Sequence, residues 1–305
     1  MTGVLIGFGI IAFVIAVGYV AGRLGIGGPS ASFALNRVAF FVTSPALLFT
    51  VLAKADLHEV FSSSVVIAGV AAISTAGLYL LASRLFFRRP PSETTVGALG
   101  AGYVNANNIG LPVAVYVLGS ASYVAPVLLL QLIVFAPTAL IVLDVTSHGR
   151  ASVRSILLQP IRNPMILASV AGLLLDLTGW HVPDAVFEPF ELLGGAAVPL
   201  VLLAFGMSLR GARPLRAAQE RVPIAAAALG KVVFMPLVAW VVASSLGLHG
   251  HELFAAVALG ALPTAQNVFN FASRYQRGEV LARDTVLITT LAAIPVLLVI
   301  AWLLA

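Results

Sequence analysis

Cysteine is absent from this chain of 305 residues, which excludes disulfides, thiol catalysis and cysteine metal sites. Charge is nearly as scarce: 10% of the residues are Asp, Glu, Lys or Arg, against 60% hydrophobic. With a mean hydropathy of +1.04, this balance excludes an ordinary water-soluble domain. A helix needs roughly 20 residues to cross the hydrocarbon of a bilayer, so ten crossings would take about two thirds of the chain. The remainder suffices for short loops and leaves no room for a soluble catalytic domain. The start, Met1-Thr2-Gly3-Val4-Leu5, lacks the basic region that opens a signal peptide. The first apolar segment is therefore expected to be retained as a span.

Hydropathy and turn residues place ten candidate spans at approximately 3–22, 33–53, 63–87, 95–118, 122–144, 163–178, 188–208, 222–246, 252–273 and 283–304. Asp176 and Pro164 make the sixth the least apolar. Carboxylates are missing from the middle of every span. Asp144 and Asp284 fall near span ends, and Asp56, Glu59, Asp176, Asp184, Glu188, Glu191 and Glu252 fall in outer loops or at their edges. A carboxylate proton relay or a sodium/proton antiporter would bury such a group, so both are disfavoured. All five histidines are assigned to loops, and His249 and His251 with Glu252 read as a hydrated loop rather than a metal site. There is no phosphate-binding glycine loop, no metalloprotease helix and no nucleophile constellation. Neither an enzyme nor a cofactor is expected.

The net charge of +5 would suit nucleic acid if it formed a patch, but its distribution argues for a membrane. Arg23, Arg37, Arg84, Arg88, Arg89, Arg150, Arg154, Arg162, Arg210, Arg213, Arg216, Arg221, Arg274, Arg277 and Arg283 all fall in odd-numbered loops. The even-numbered loops hold only Lys54, and Lys231 lies within the eighth span. The positive-inside rule then makes the odd loops cytoplasmic and puts both termini on the outer face. A miscounted span would scramble this pattern, so it also supports the count of ten.

The chain carries an internal duplication. A shift of about 154 pairs Gly18 with Gly172, Gly25 with Gly179, Pro29 with Pro183, Phe33 with Phe187 and Pro45 with Pro199. A shift of about 160 pairs Ala98-Leu99-Gly100-Ala101 with Ala258-Leu259-Gly260-Ala261, and Asn107 with Asn267. Pro137 and Pro295 pair near the ends of the two halves. Each repeat has five spans, an odd number, so the second is inverted with respect to the first. The fold class is therefore all-α integral membrane: ten transmembrane helices in two inverted five-helix repeats. Repeat one is expected over about 1–144, a cytoplasmic connection over about 145–162 and repeat two over about 163–305.

Two spans in equivalent positions are interrupted by polar, proline-containing runs. The fourth contains Asn105-Ala-Asn107-Asn108-Ile-Gly110-Leu-Pro112, and the ninth contains Pro263-Thr264-Ala-Gln266-Asn267. Irregular backbone at membrane depth is tolerated only where it lines a protein-enclosed cavity. Asparagine amides satisfy local backbone groups, and glycine permits unusual dihedrals. Pro112 suits the first turn of a new half-helix. Each break then brings a half-helix amino end to mid-membrane, with about half a positive charge and free N–H donors. Two such ends facing each other suit a carboxylate or similar anion. The candidate substrate-binding residues are Asn105, Asn107, Asn108, Pro112, Gln131, Pro263, Thr264, Gln266 and Asn267; the alternative is a pair of packed proline kinks.

Other polar residues near mid-span are Ser44, Gln131, Thr289 and Thr290. Serine and threonine usually bond back to their own helix. Gln131 leaves a cavity-facing and a structural role equally open. For Lys231, snorkelling towards the cytoplasm or a structural partner is favoured over attraction of an anion.

On the two interrupted runs, together with Ser44-Pro45-Ala-Leu-Leu-Phe49 and Asn163-Pro164, the chain resembles the auxin efflux carrier family. That family sits within the bile acid, arsenite and riboflavin transporter superfamily. The resemblance covers essentially the whole chain. It implies helices 4 and 9 that cross, a scaffold from about 1–53 plus 163–208, and a transport part from about 63–144 plus 222–304. It also implies an elevator-like movement and a homodimer built through the scaffold. By the same resemblance, the crossover prolines are Pro112 and Pro263 and the substrate-contacting asparagine is Asn107 or Asn108. Pro263 precedes its amides whereas Pro112 follows its own, a departure from strict symmetry. The fifth loop is short, unlike that of the plant members, and bacterial-type relatives are associated with malate, malonate and other small organic acids.

The expectation is a multi-pass cell-membrane carrier of a small organic anion, with membrane lipid as its surroundings and no nucleic-acid partner. The alternatives are a sodium-coupled symporter of the wider superfamily and a non-transporting membrane receptor or scaffold.

Overall fold

The computed structural model describes residues 2–54, 57–148, 163–180, 182–210, 215 and 217–305. Most of the expected connecting loop, with Arg150, Arg154 and Arg162, lies outside the described residues, as do Asp56, His181, Arg213 and Arg216.

The described chain is predominantly helical, with no strand among the described residues. Its helices are α1 (Thr2–Leu24), α2 (Ala31–Leu52), α3 (Leu57–Phe86), α4 (Pro91–Gly102) and α5 (Leu111–Tyr116). They continue with α6 (Ala121–Ser147), α7 (Pro164–Thr178), α8 (Asp184–Ser208), α9 (Ala218–Ser245), α10 (Gly250–Gly260), α11 (Gln266–Tyr275) and α12 (Glu279–Leu304). Among the described residues, seven helices are long and apolar enough to cross a membrane: α1, α2, α3, α6, α8, α9 and α12. The shorter α7 is apolar as well. Large apolar side chains point outward along them; Phe13 is 70% exposed, Leu192 80% and Trp302 73%. In water such a surface would aggregate; facing lipid tails it costs nothing.

Two groups of helices pack within themselves. In one, α1 lies along α8, and α2 along α7 and α8. Gly18 of α1 and Gly206 of α8 let those backbones meet: a Cβ at Gly206 would collide with the carbonyl of Ile15, and one at Gly18 with that of Leu203. Small residues at such contacts are how membrane helices gain dispersion energy without a hydrophobic driving force. In the other group, α3 packs on α4, α6 and α9, α10 on α9 and α12, and α11 on α12. Helix α5 joins the groups by lying against α1.

Four helical turns widen to π geometry, at Ala39–Thr43, Ala106–Gly110, Gln131–Phe135 and Gly230–Phe234. Each ends two residues before a proline, namely Pro45, Pro112, Pro137 and Pro236. Proline lacks the N–H and its ring clashes with the carbonyl four residues back. The residue before each proline bonds five residues back instead, as Leu111 does to Ala106 and Met235 to Gly230. The helix thus absorbs the proline as a bulge rather than a stop.

Candidate functional site

Both interrupted spans are severed, and at a different point from the one the prolines suggest. The fourth runs as α4 to Gly102, is extended at Tyr103, and resumes as a π turn at Ala106. Pro112 does not open the new half-helix, contrary to the sequence-based expectation. That role belongs to Asn105, whose Oδ1 accepts from the Asn108 N–H at 3.0 Å, because an amide caps the first turn directly whereas Pro112 is already inside it. The ninth span stops at Gly260 and resumes at Gln266.

The two gaps cross each other. Val104 and Thr264 form an isolated antiparallel bridge. The N–H of Asn105 donates to the Pro263 carbonyl at 2.7 Å, and that of Ala265 to the Tyr103 carbonyl at 3.0 Å. Backbone groups freed by each break are thereby satisfied by the other, which removes the cost of unpaired polar groups at depth. Val104 and Thr264 are buried.

Around the crossing the side chains continue the pairing. Thr264 donates its hydroxyl to the Gly100 carbonyl at 2.5 Å, and its N–H donates to Thr289 Oγ1 at 3.0 Å. Thr289 also bonds back to the Thr285 carbonyl at 2.8 Å, so it braces the crossing as well as its own helix. The sequence showed only the second role.

What remains unpaired points to a ligand. The half-helix amino ends at Ala106 and Gln266 meet at the crossing, and the N–H groups of Asn107, Gln266 and Asn267 have no partner among the described residues. A cavity of about 40 Å³ lies beside them. Of the expected site residues, Asn105, Asn107, Asn108, Gln131, Gln266 and Asn267 line it, while Pro112, Pro263 and Thr264 do not. Asn107 Nδ2 donates to Asn108 Oδ1 at 2.9 Å, and Asn107 Oδ1 is buried without a partner. The Tyr103 hydroxyl is directed at Asn267 without meeting the geometry of a full hydrogen bond.

Phe40 of α2 and Met165 of α7, from the other group of helices, also line the cavity. Sequence reasoning missed both as lining residues, although it singled out neighbouring motifs. Asn163 caps α7 through its Oδ1, which accepts from the Met165 N–H at 3.0 Å, and Pro164 occupies the first turn. That local signal sets where α7 starts and hence where Met165 points.

Gln131 faces the cavity, is 4% exposed, and has no hydrogen-bond partner among the described residues. It also lines a second cavity of about 150 Å³ between α3, α6, α9 and α10, as does Val104. Lys231 does not snorkel: it is fully buried, with Nζ 3.1 Å from the Gly260 carbonyl and 2.8 Å from Met235 Sδ. Its stem points into the bundle, so the nearest acceptor is the end of α10 rather than water. No group of three His, Asp or Glu that would hold a metal ion occurs among the described residues.

This arrangement offers neutral amides and oriented N–H donors, with no nucleophile or general base among the lining residues. Such a set of groups is suited to holding an anion rather than to making or breaking bonds. Comparison with known proteins finds membrane transporters. A protein of Rhizobium meliloti (strain 1021) described as "Putative malonate transporter" is 27% identical over 291 residues, covering 92% of this chain and 89% of that protein. The Escherichia coli (strain K12) "Uncharacterized transporter YfdV" is 29% identical over 279 residues, covering 87% of this chain and 86% of that protein. The Arabidopsis thaliana "Auxin efflux carrier component 4" is 28% identical over 143 residues, 46% of this chain and 23% of the plant protein. The membrane transport protein family matches residues 8–149 and 146–301. With nearly its whole length matched, the chain belongs to this family of membrane transporters, the auxin efflux carrier family.

Proposed function

We propose that the chain is a secondary carrier of a small organic anion, such as a mono- or dicarboxylate, across the cell membrane. The observation that carries this reading is the convergence of two half-helix amino ends, at Ala106 and Gln266, beside unpaired amides. Their N–H groups and partial positive charges match a carboxylate. The relative from Rhizobium meliloti, named for malonate, supports the substrate class.

In this reading the seven long helices, α7 and the two broken pairs make ten crossings in two inverted repeats. The antiparallel pairing of Val104 with Thr264 supports the inversion. The group α1, α2, α7 and α8 is the scaffold and the group around the crossing is the transport part. A cavity of about 40 Å³ is smaller than the ~300 Å³ and above of ordinary ligand sites. Admission of an anion therefore requires the crossing to move away from Phe40 and Met165, as an elevator-like shift would do. The positive-inside rule puts both termini outside, and the scaffold supplies the face for a homodimer.

The test is uptake and electrical recording in proteoliposomes containing the purified chain, offered malonate, other mono- and dicarboxylates and indole acids. Saturable flux of at least one supports the reading; no response across the panel overturns it. One observation favours a sodium-coupled variant of it: the buried, unpartnered Asn107 Oδ1 is a hard oxygen acceptor of the kind sodium takes. Thermal stabilisation by sodium and not by potassium would support that variant.

A further inference from the structure

Two carbonyls in equivalent places are closed in different ways. Gly100 lies in the last turn of α4 and Gly260 ends α10, and both helices stop at the crossing. The carbonyl of Gly100 receives the Thr264 hydroxyl, whereas the carbonyl of Gly260 receives Lys231 Nζ at 3.1 Å. A neutral hydroxyl suffices for the first end, so capping alone does not call for an amine at the second.

The surroundings of that amine are incomplete for a permanent charge. An ammonium carries three N–H donors, and Lys231 Nζ meets one carbonyl and one thioether, Met235 Sδ at 2.8 Å. Among the described residues no carboxylate comes within ion-pair distance of it. The titratable and charged groups with described side chains on the helices packed around α9 stand elsewhere: Tyr79 and Arg84 on α3, Glu93 on α4, His251 and Glu252 in the first turn of α10, Glu279, Arg283 and Asp284 in the first turns of α12. On α9 itself, Glu220 and Arg221 lie about ten residues earlier. The carboxyl end of α10 offers partial negative charge, which favours a proton on the amine without fully compensating it.

Lys231 lines neither cavity, but the groups it touches connect it to both. Met235 and Gly260, its two contacts, line the 150 Å³ cavity, whose wall also includes the exposed Glu252. Gly260 is three residues from Pro263, at most about 11 Å of chain. Pro263 in turn accepts from the N–H of Asn105, which lines the anion cavity; unit charges about 11 Å apart at an effective dielectric near 20 would couple by about tenfold in affinity, and by less at greater separation. Such coupling is reciprocal: an anion at the crossing raises proton affinity at the amine, and the proton raises affinity for the anion.

We propose that Lys231 is a proton site coupled to the anion site, so that one proton enters and leaves with each substrate. The step is a simple transfer: the Nζ lone pair accepts a proton from water in the 150 Å³ cavity, and the proton returns to water once the anion has gone. This proposal rests on the carrier reading, and the experiment separates the two. Proteoliposomes holding a lumenal pH dye are given labelled malonate. Wild type is expected to acidify the lumen as malonate enters. In K231Q malonate–malonate exchange persists, with a half-saturating concentration up to about tenfold higher, while acidification per malonate falls at least fivefold; acidification at the wild-type ratio in K231Q overturns the proposal. K231R, charged but not titrating in this range, is expected to lose acidification too, which guards against a folding defect in the neutral variant. A second arm needs no substrate: the Tm difference between wild type and K231M is followed from about pH 6 to pH 9. A change of several degrees in step with one titrating group supports the site, and a constant difference overturns it. If that change is present and wild type carries none of the carboxylates tested, the carrier reading fails and the proton site stands.

Discussion

The hydroxyl of Thr264 donates to the carbonyl of Gly100, 164 residues earlier in the chain, at 2.5 Å. One side chain in the second gap therefore closes the helix that leads into the first. With the Asn105–Pro263 and Ala265–Tyr103 bonds, it makes the two breaks a single unit. Neither break would be stable at depth alone, because each supplies the acceptors and donors that the other lacks.

Replacing Thr264 by Val keeps the shape and removes the donor. The Gly100 carbonyl is then buried without its hydroxyl partner, which costs about 1–3 kcal/mol. A lower Tm is expected for T264V in detergent, with T264S close to wild type. Equal Tm for T264V and wild type would show that the bond does not hold the crossing.

Loss of an amide beside the unpaired N–H groups acts on binding instead. N107A and Q266A each remove one hydrogen bond to a charged ligand, about 1.5–3 kcal/mol, or roughly 10- to 100-fold in apparent affinity. Both residues are only partly buried, so Tm is expected to stay within a degree or two. N107D adds a like charge and is expected to be worse than N107A for every anion. Concentration dependence of uptake, for whichever carboxylate of the panel is carried, checks all three.

Absence of cysteine makes the wild-type chain a ready background for cross-linking. Met165 and Asn267 line one cavity from its two sides. At saturating substrate, M165C/N267C is expected to lose its remaining transport on treatment with mercuric ion and to regain it on adding excess thiol, while the treatment leaves the activity of each single variant unchanged. Full activity of the treated double variant would mean that α7 and α11 need not separate.

Close approach of α1 and α8 depends on Gly206, where any side chain meets the Ile15 carbonyl. G206L is expected to destabilise by about 1–3 kcal/mol through overpacking, read as a lower Tm, whereas a change at Gly9, which has open space around it, is expected to be neutral.

Arg89 bridges Glu93 at 3.2 Å and Glu220 at 2.8 Å, with its guanidinium also on the Gln219 carbonyl. The bridge ties the start of α4 to that of α9. Arg89 keeps about 20% and Glu220 about 15% of their side-chain exposure; solvent screens the pair only in part, and it is worth on the order of 1 kcal/mol. A double-mutant cycle of R89A and E220A should return a coupling of that order, weakened by high salt.

The breaks were legible because asparagine, glycine and proline are conspicuous in runs of leucine, valine and alanine. Asn105, Asn107, Asn108, Gln266 and Asn267 stand out on composition alone. Phe40 and Met165 do not: an apolar residue on a membrane helix looks the same whether it faces lipid or a binding cavity. Pro112 misled, because proline marks where a helix must adapt and the adaptation took the form of a π turn upstream. For Lys231 the sequence left snorkelling and a structural partner side by side, and the structure shows the partner. Snorkelling depends on which way the stem points, and that is set by the packing of α9 against α3 and α10.

By itself the sequence determined that the chain is membrane-embedded and all-helical, and that two helices are interrupted by polar residues. Each of these follows from local chemistry: the length of apolar runs, and the cost of amides and prolines inside them. Only the tertiary structure decided that the two interruptions satisfy each other, where the half-helices resume, and that a threonine and a lysine cap equivalent carbonyls. Those facts join residues some 160 positions apart or on different helices, and no local pattern encodes which buried donor meets which buried acceptor.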